Sequence, residues 1–335
     1  MQITRRTFAQ MGAASLGAAL SPMRSVAEPQ KNVEPQQPDA LHDARPALED
    51  SHRFHFAVVS DTHIIDTFYK PGSENGVEDN TTILQANDHL ITARTALNKL
   101  RFADGSRIEQ VFVPGDVFHN YPSTDYDFYF KNETRLDIAN KLLSGFDAPV
   151  HVGWGNHDYD IGHISREMSH RLFEAKFKTK PYWSMEHKGF RFIMLNNFLG
   201  VTCDPTSPSY HRDYGSLGEE QLQWLEAQLA ERRPSVIFIH YPLWSVAPVE
   251  MKDFGLHPLL RRYRGDIQIV IAGHWHKWID FAHTYGPQHT VVGSTRYDEH
   301  SYMVFEADAR EGEIRWLDQS RVRWSTHYAD PLPLG

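Results

Sequence analysis

Apolar runs alternate with amphipathic stretches along the central part of the chain. The runs "FHFAVVSD", "QVFVPGD" and "PVHVGWGNHD" are rich in β-branched and aromatic residues, and "ITARTALNKLRFA" and "TRLDIANKLLSGF" lie between them. Strand, helix, strand, helix, strand is the order typical of α/β proteins. We therefore predict an α/β fold for this region.

The second half of the chain predicts further strands and one well-marked helix. The stretch "YWSMEHKGFRFIMLNN" indicates a hairpin, and "SVIFIHY", "IQIVIAGH", "TVVGS" and "YMVFEAD" indicate strands. The stretch "SLGEEQLQWL" predicts a helix, for which Ser216 and Glu219 match a capping box. Because the hairpin and crossover helices separate two groups of strands, we expect two packed sheets covered by helices rather than one sheet.

The N-terminal residues 1–27 have the pattern of an export signal. They contain Arg5, Arg6 and Arg24, no acidic residue, and a weakly apolar run over residues 11–20. That run is about half of the roughly 20 residues that span a bilayer, so a permanent membrane anchor is the weaker interpretation. The paired arginines resemble the bacterial twin-arginine signal, which predicts a periplasmic or secreted protein. The alternative is a basic N-terminus without function.

The remaining boundaries follow from composition. Residues 28–51 contain Pro29, Pro35, Pro38 and Pro46 and no hydrophobic period, which predicts a flexible linker. We expect one catalytic domain over residues 52–325 and a C-terminal tail over 326–335.

Composition and charge narrow the class of protein. The 335 residues are 41% hydrophobic and 23% charged, as in globular enzymes. Loss of the three signal arginines from the 34 basic residues, against 43 acidic ones, would shift the formal net charge from −9 to −12. Such a charge does not favour nucleic acid as a partner. With Cys203 as the single cysteine and 20 histidines, a metal would rest on His, Asp, Asn or Glu.

Aspartate, asparagine or histidine residues directly follow five of the predicted strands. Ligands bind at the carboxyl ends of strands in open α/β sheets. Taken singly, each of these residues fits an ordinary turn or loop, but five such groups together favour a site. The residues are Asp61 and His63, Asp116, Asn156 and His157, His240, and His274 and His276.

The order of these motifs resembles the calcineurin-like metallophosphoesterase family, and "LGEEQLQWLEAQL" is similar to a helix of many bacterial members. The resemblance implies an αββα sandwich of two sheets with the site at one edge. It also implies two metal ions with Asp116 as the bridging ligand. The first ion would be held by Asp61, His63 and His276, and the second by Asn156, His240 and His274.

The residue types fit transition metals. Imidazole mixed with hard oxygen suits Mn, Fe or Zn and excludes a thiolate-type structural zinc site. Two such ions can activate water as the nucleophile, so no covalent phosphoenzyme is required. By the resemblance, His157 would protonate the leaving oxygen, and Asp158 or another carboxylate would set its tautomer. A purely structural role is the alternative for His157.

One position departs from the family pattern. Many members have an aspartate three residues after the bridging aspartate, where "GDVFHN" has His119. This residue would be an extra metal ligand, a substrate contact or, as we favour, a partner to a ligand. Nucleases of the family have a stretch similar to "GDVFHNYPS".

The expected activity is hydrolysis of small phosphate esters by an exported enzyme, with diesters favoured. Lys277 and Arg296 are the cations near the motifs, fewer than a monoester dianion would favour, whereas aromatic residues can pack against the organic arms of a diester. The alternatives are a phosphomonoester phosphatase, a nuclease, and a metal- or phosphate-binding protein without turnover. The aromatic residues near the motifs are Phe118, Tyr159, Tyr241, Trp244, Trp275 and Trp278.

Overall fold

The computed structural model describes residues 52–72 and 81–324. The predicted signal (1–27), linker (28–51) and tail (326–335) lie outside the described residues, and these boundaries stay predictions. None of the helices in the described part of the chain combines the length and apolar character needed to cross a bilayer.

The described strands form two sheets, of which the first has the order β11-β10-β1-β2-β3. Strands β1, β2 and β3 are parallel, and β10 runs antiparallel to both β1 and β11. The parallel strands therefore end at the same edge of the sheet. The strands are β1 Arg53–Val59, β2 Ile108–Val113, β3 Val150–Val152, β10 Tyr302–Asp308 and β11 Glu313–Leu317.

The second sheet has the order β4-β5-β6-β7-β9-β8. Its central strands β5, β6, β7 and β9 are parallel, and β4 and β8 are antiparallel strands at its two edges. The antiparallel pairing of β4 with β5 confirms the predicted hairpin. The strands are β4 Trp183–His187, β5 Phe190–Met194, β6 Ser235–Ile239, β7 Ile267–Ala272, β8 Ile279–Ala282 and β9 His289–Val291.

Phenylalanine rings fill the space between the two sheets. The ring of Phe112 in β2 stacks on Phe192 of β5 and Phe238 of β6, with centroids 4.7 and 4.5 Å apart. Phe56 of β1 stacks on Phe305 of β10 at 4.8 Å. Because successive side chains of a strand point to opposite faces, the neighbours of these rings face outward.

The outward faces of the strands are buried together with the apolar faces of the helices. This arrangement confirms the predicted α/β fold of two packed sheets covered by helices. The helices are α1 Ala86–Lys99, α2 Phe128–Lys131, α3 Arg135–Leu143, α4 Asn156–Tyr159, α5 Arg166–Phe177, α6 Glu219–Ala230 and α7 Leu256–Arg262, and three short 3-10 turns cover Val201–Cys203, Leu243–Ser245 and Gln319–Arg321.

The start of α6 differs from the sequence prediction. The helix begins at Glu219 after Gly218, and Ser216 accepts a hydrogen bond from the amide of Thr202 instead of capping the helix. The carboxylate of Glu250 accepts hydrogen bonds from the amides of Leu217 (2.7 Å) and Gly218 (2.8 Å). The predicted capping box is therefore wrong, because a carboxylate distant in sequence supplies the acceptor at this end.

Candidate metal centre

The candidate ligands lie on loops that leave the carboxyl ends of five parallel strands, three in the first sheet and two in the second. Several of these loops turn sharply, because their ligand residues have positive φ. The values are 52° for Asp61, 44° for His63, 50° for Asp116, 71° for His274 and 54° for His276. Such angles cost non-glycine residues on the order of 1–3 kcal/mol each and persist only where the surrounding structure holds them.

The turn after β1 brings Asp61 and His63 together. Strand β1 ends at Val59, before both residues. The two side chains meet through the left-handed backbone of both residues. Their proximity is therefore a property of the loop and not of the strand.

The residues predicted for the first ion converge on one point. His63 Nε2 lies 3.0 Å from His276 Nε2, and His276 Nε2 lies 3.3 Å from Asp61 Oδ1. His63 Nε2 is also 3.6 Å from Asp116 Oδ2. The two imidazole nitrogens and the two carboxylates thus direct lone pairs at a common centre. Such an arrangement suits a bound cation.

The residues predicted for the second ion meet on the other side of Asp116. His240 Nε2 lies 3.2 Å from Asp116 Oδ2 and 3.1 Å from Asn156 Oδ1. Potential ligand atoms of Asp116, His240 and His274 all lie within 4.8 Å of one another. Oδ2 of Asp116 therefore lies between the two groups of ligands, where a bridging ligand is required.

The hydrogen bonds of His240 test whether a cation fits here. Its Nδ1 lies 3.1 Å from the carbonyl oxygen of Pro114, so the proton of the neutral ring is on Nδ1. Nε2 then presents a lone pair to the oxygens of Asp116 and Asn156, which is unfavourable unless a cation lies among them. Without a cation the ring takes up a proton, and although burial lowers its pKa, Asp116 raises it to about 9. The donor set thus fits a metal.

The surroundings of three other candidate ligands favour the protonation states that bind metals. Burial lowers the pKa of His63 well below its ordinary value, and so does the positive field of His157 and His276. Burial likewise lowers the pKa of His274. Burial opposes ionisation of Asp116, but the neighbouring histidines, His240 first, hold the pKa of its carboxyl below the ordinary range.

Two glycines allow the ligand loops to approach each other. A Cβ at Gly155 would lie 2.1 Å from Asp116 Oδ1, and a Cβ at Gly273 would lie 2.4 Å from Asp61 Oδ2. Asp61 is also fixed by a hydrogen bond from Ser60 Oγ (2.5 Å) and by one from the amide of His274 (2.9 Å). The carboxylates are therefore positioned by backbone packing as well as by hydrogen bonds.

His157 is half-buried beside the ligands. Its amide donates a hydrogen bond to Asp116 Oδ1 (2.9 Å), and its ring lies 4.6 Å from the ring of His119 and 4.7 Å from that of His63, between centroids. Burial lowers the pKa of its ring to about 3, although Asp116 opposes this shift. The side chain is thus held at the site without taking part in either group of ligands.

The expected partnership of His157 with Asp158 is wrong. The buried Asp158 carboxylate accepts hydrogen bonds from the amides of Val117 (3.0 Å), Phe118 (3.3 Å) and Gly155 (2.8 Å). Because helix α4 turns Asp158 away from the preceding ring, this residue braces the loop that carries Asp116.

His119 contacts a candidate ligand directly. Its Nδ1 lies 3.1 Å from His63 Nδ1. If His63 offers Nε2 to a metal, its proton is on Nδ1 and His119 accepts it. This contact favours the role of partner to a ligand among the three predicted roles, although His63, His119 and His157 also form a group with metal-ligand spacing.

The surroundings differ from the aromatic pocket that the sequence suggested. Trp244 and Trp275 are half-buried and meet edge to face with centroids 4.7 Å apart. Lys277 and Arg296 are buried, and the charge of Arg296 contributes to the lowered pKa values of His63 and His157. The other expected aromatic residues lie in the core, because each is at most 4% exposed: Phe118, Tyr159, Tyr241 and Trp278.

Two residues outside the predicted set also support the site. Ser60 holds Asp61, and Asn120 Oδ1 lies 2.8 Å from His157 Nδ1. A polar residue at a strand end was the signal available for Ser60. No periodic or motif signal marks Asn120, since its role depends on a turn with φ 56°.

Comparison with known proteins identifies a family and several relatives. A family model described as calcineurin-like phosphoesterase matches residues 54–278. Purple acid phosphatase 21 of Arabidopsis thaliana is 24% identical over 275 residues, 70% of this chain and 56% of that protein. A probable cyclic nucleotide phosphodiesterase of Rhodococcus erythropolis is 26% identical over 209 residues, 58% of this chain and 62% of that protein. The chain thus matches less than two thirds of the length of either relative.

A solved structure has the same fold. The dimetal phosphatase from Danio rerio superposes with a TM-score of 0.50 at 16% identity, over 79% of this chain and 98% of that one. At this identity the likeness concerns the arrangement of sheets and helices.

Proposed function

Because this chain belongs to the calcineurin-like phosphoesterase family, we propose that it hydrolyses phosphate esters at a centre of two transition-metal ions, Mn, Fe or Zn. The proposal rests on the position of Asp116 Oδ2. This oxygen lies 3.6 Å from His63 Nε2 and 3.2 Å from His240 Nε2. A buried carboxylate oxygen between two sets of imidazoles has the geometry of a ligand shared by two ions.

The two ions would polarise the phosphoryl oxygens and lower the pKa of a water molecule. Hydrolysis would form a bond from the water oxygen to phosphorus and break the bond to the leaving oxygen, which keeps the electron pair. The proton that the water loses would replace the one that His157 gives up. His157 Nε2 gives a proton to the leaving oxygen, since Nδ1 is engaged by Asn120.

Activity and metal content separate an enzyme from a binding protein. We expect the purified protein to contain about two metal ions per chain and to hydrolyse bis-nitrophenyl phosphate. Removal of the ions with a chelator abolishes this activity, and Mn, Fe or Zn restores it. A protein that binds two ions but hydrolyses no ester in a broad screen would instead be a metal- or phosphate-binding protein.

We further propose that diesters are preferred over monoesters. The edge-to-face pair of Trp244 and Trp275 belongs to the same two loops as His240 and His274, and both tryptophans are half-exposed. Such a pair can pack against an organic arm of a diester. The buried charge of Arg296 works in the other direction, because it offsets part of the second charge of a monoester. Among the relatives, the probable cyclic nucleotide phosphodiesterase is named for activity on a diester, and purple acid phosphatase 21 is named for phosphatase activity.

The comparison that decides this point uses bis-nitrophenyl phosphate and nitrophenyl phosphate at one pH and one metal loading. We expect a higher kcat/KM for the diester. A clear preference for the monoester would reject the diester proposal and indicate a phosphatase, while the two-metal proposal would stand.

Export is proposed on the N-terminal sequence, which lies outside the described residues. Replacement of Arg5 and Arg6 by lysine should leave the precursor in the cytoplasm of a bacterial host. Fractionation and immunoblotting of the two precursors check this expectation. Unimpaired export of the variant would indicate a signal of another type.

A further inference from the structure

We propose that Asn120 is the residue that orients His157 for proton transfer to the leaving group. The inference rests on the proposed function for the identity of the reaction. Its structural basis is the 2.8 Å contact between Asn120 Oδ1 and His157 Nδ1.

The protons of His157 fix the direction of this hydrogen bond. Transfer of a proton from Nε2 to the leaving oxygen leaves the proton on Nδ1 in place, so Nδ1 is protonated before and after the step. Nδ1–H therefore requires an acceptor throughout the reaction, and the amide oxygen of Asn120 supplies it. Because this acceptor is uncharged, it adds no repulsion toward Asp61, Asp116 or an anionic ester.

Packing against neighbouring rings does not fully fix the orientation of the His157 ring, and the hydrogen bond to Asn120 supplies the rest. The ring of His157 stacks on that of His119 with an interplanar angle of 26° and meets the edge of His63 at 78°. Stacking restricts the plane of a ring but does not distinguish its two flipped positions. The contact with Asn120 distinguishes them, because only one position brings Nδ1 to the amide oxygen.

Asn120 is itself held by a buried ion pair. Arg135 donates hydrogen bonds to the carbonyl oxygens of His119 and Asn120, the latter at 3.4 Å. The same guanidinium pairs with Asp66 through Nε (3.2 Å) and Nη2 (2.9 Å), and both side chains are at most 5% exposed. The next amide, that of Tyr121, donates to Asp160 Oδ2 (3.1 Å). The turn that carries Asn120 is thus fixed on both sides.

The backbone at Asn120 guides the choice of variants. Its φ of 56° is tolerated by asparagine, aspartate and glycine. Asn120→Gly removes the acceptor without adding backbone strain, and Asn120→Asp keeps an acceptor oxygen in the same place. Asp253→Gly is a matched control, because Asp253 has φ 62° in an exposed turn between Met251 and Phe254.

The test compares two substrates. An alkyl ester has a poor leaving group, and a nitrophenyl ester has a good one. For Asn120→Gly we expect kcat on the alkyl ester to fall by about 10- to 100-fold, as for loss of a supporting hydrogen bond at a site. On the nitrophenyl ester kcat should change by less than about threefold, since little proton transfer is needed. Asn120→Asp should recover most of the loss, and metal content should match the wild type in both variants.

A spectroscopic measurement tests the contact independently of activity. In zinc-loaded, ¹⁵N-labelled protein we expect the His157 ring to carry its proton on Nδ1, and Asn120→Gly should give a mixture of tautomers. Equal losses on both esters, or an unchanged His157 spectrum in Asn120→Gly, would overturn the role of Asn120. If the wild type hydrolyses neither ester, the proposed function fails, while the spectrum still decides whether Asn120 orients the ring.

Discussion

Replacement of Gly155 by alanine tests the bridging position of Asp116 with the smallest possible change. A Cβ at this position would lie 2.1 Å from Asp116 Oδ1 and 2.3 Å from its amide nitrogen. Since Cβ contacts below 3.0 Å are essentially never seen, the carboxylate and backbone of Asp116 must move by about 0.9 Å relative to residue 155. Metal–ligand distances tolerate only about 0.2 Å, so the shared ligand would be lost.

We expect Gly155→Ala to lose occupancy of both ions and at least about 100-fold in kcat/KM, as for a misplacement of about 1 Å. Gly273→Ala should affect one ion only, because its Cβ meets Asp61, which belongs to the first group of ligands alone. Elemental analysis of the purified variants gives the metal content, and thermal unfolding reports whether they fold.

Gly265→Ala is the control for the exchange of glycine for alanine, since nothing lies within 4 Å of a Cβ at that position. It should keep two ions and full activity. A folded Gly155→Ala variant with two ions and wild-type activity would refute the bridging geometry. If that variant does not fold, Gly273→Ala still tests the reasoning, because retention of full metal there would contradict it.

Three other substitutions test the shared ligand, the acid and the buried ion pair. Asp116→Asn should reduce both ions in elemental analysis, and two fully retained ions would contradict a shared ligand. His157→Gln should keep the metals and lower kcat on alkyl esters by roughly 10²–10⁴, with a smaller loss on nitrophenyl esters; equal losses would contradict an acid role. Asp66→Asn leaves the Arg135 cation buried without its carboxylate and should cost about 3–5 kcal/mol in urea unfolding. Asp127→Asn, in an ion pair 70% exposed on both sides, should cost less than about 1 kcal/mol, and a similar loss in both variants would contradict the importance of burial.

The sequence predicted those features that depend on local pattern. Apolar runs located the parallel strands, and the strand ends located the candidate ligands, because carboxyl ends of parallel strands share an edge. Strands β8 and β11 gave no comparable signal, since each is short or partly exposed and depends on its neighbour in the sheet.

The details of the site depend on contacts between distant residues. The capping box at Ser216 failed because Glu250, 34 residues away, reaches the start of α6. The partner of His157 is Asn120 and not the adjacent Asp158, since the turn of α4 separates neighbouring side chains. Phe118 and Tyr159 adjoin ligand motifs in sequence yet belong to the core, because neighbouring residues of a loop can face opposite directions.

The division of the ligands between the two sheets has a consequence for when the ions are acquired. Asp61, His63, Asp116 and Asn156 follow strands of the first sheet, and the histidines that follow β6 and β7 come from the second. With the proposed ligands, a nascent chain that has not yet reached β7 would lack part of both coordination spheres, and metal capture would be a late event of biogenesis. A precursor that folds before export would leave the cytoplasm already loaded, so the metal supply of that compartment, and not that of the destination, would decide which ions it carries.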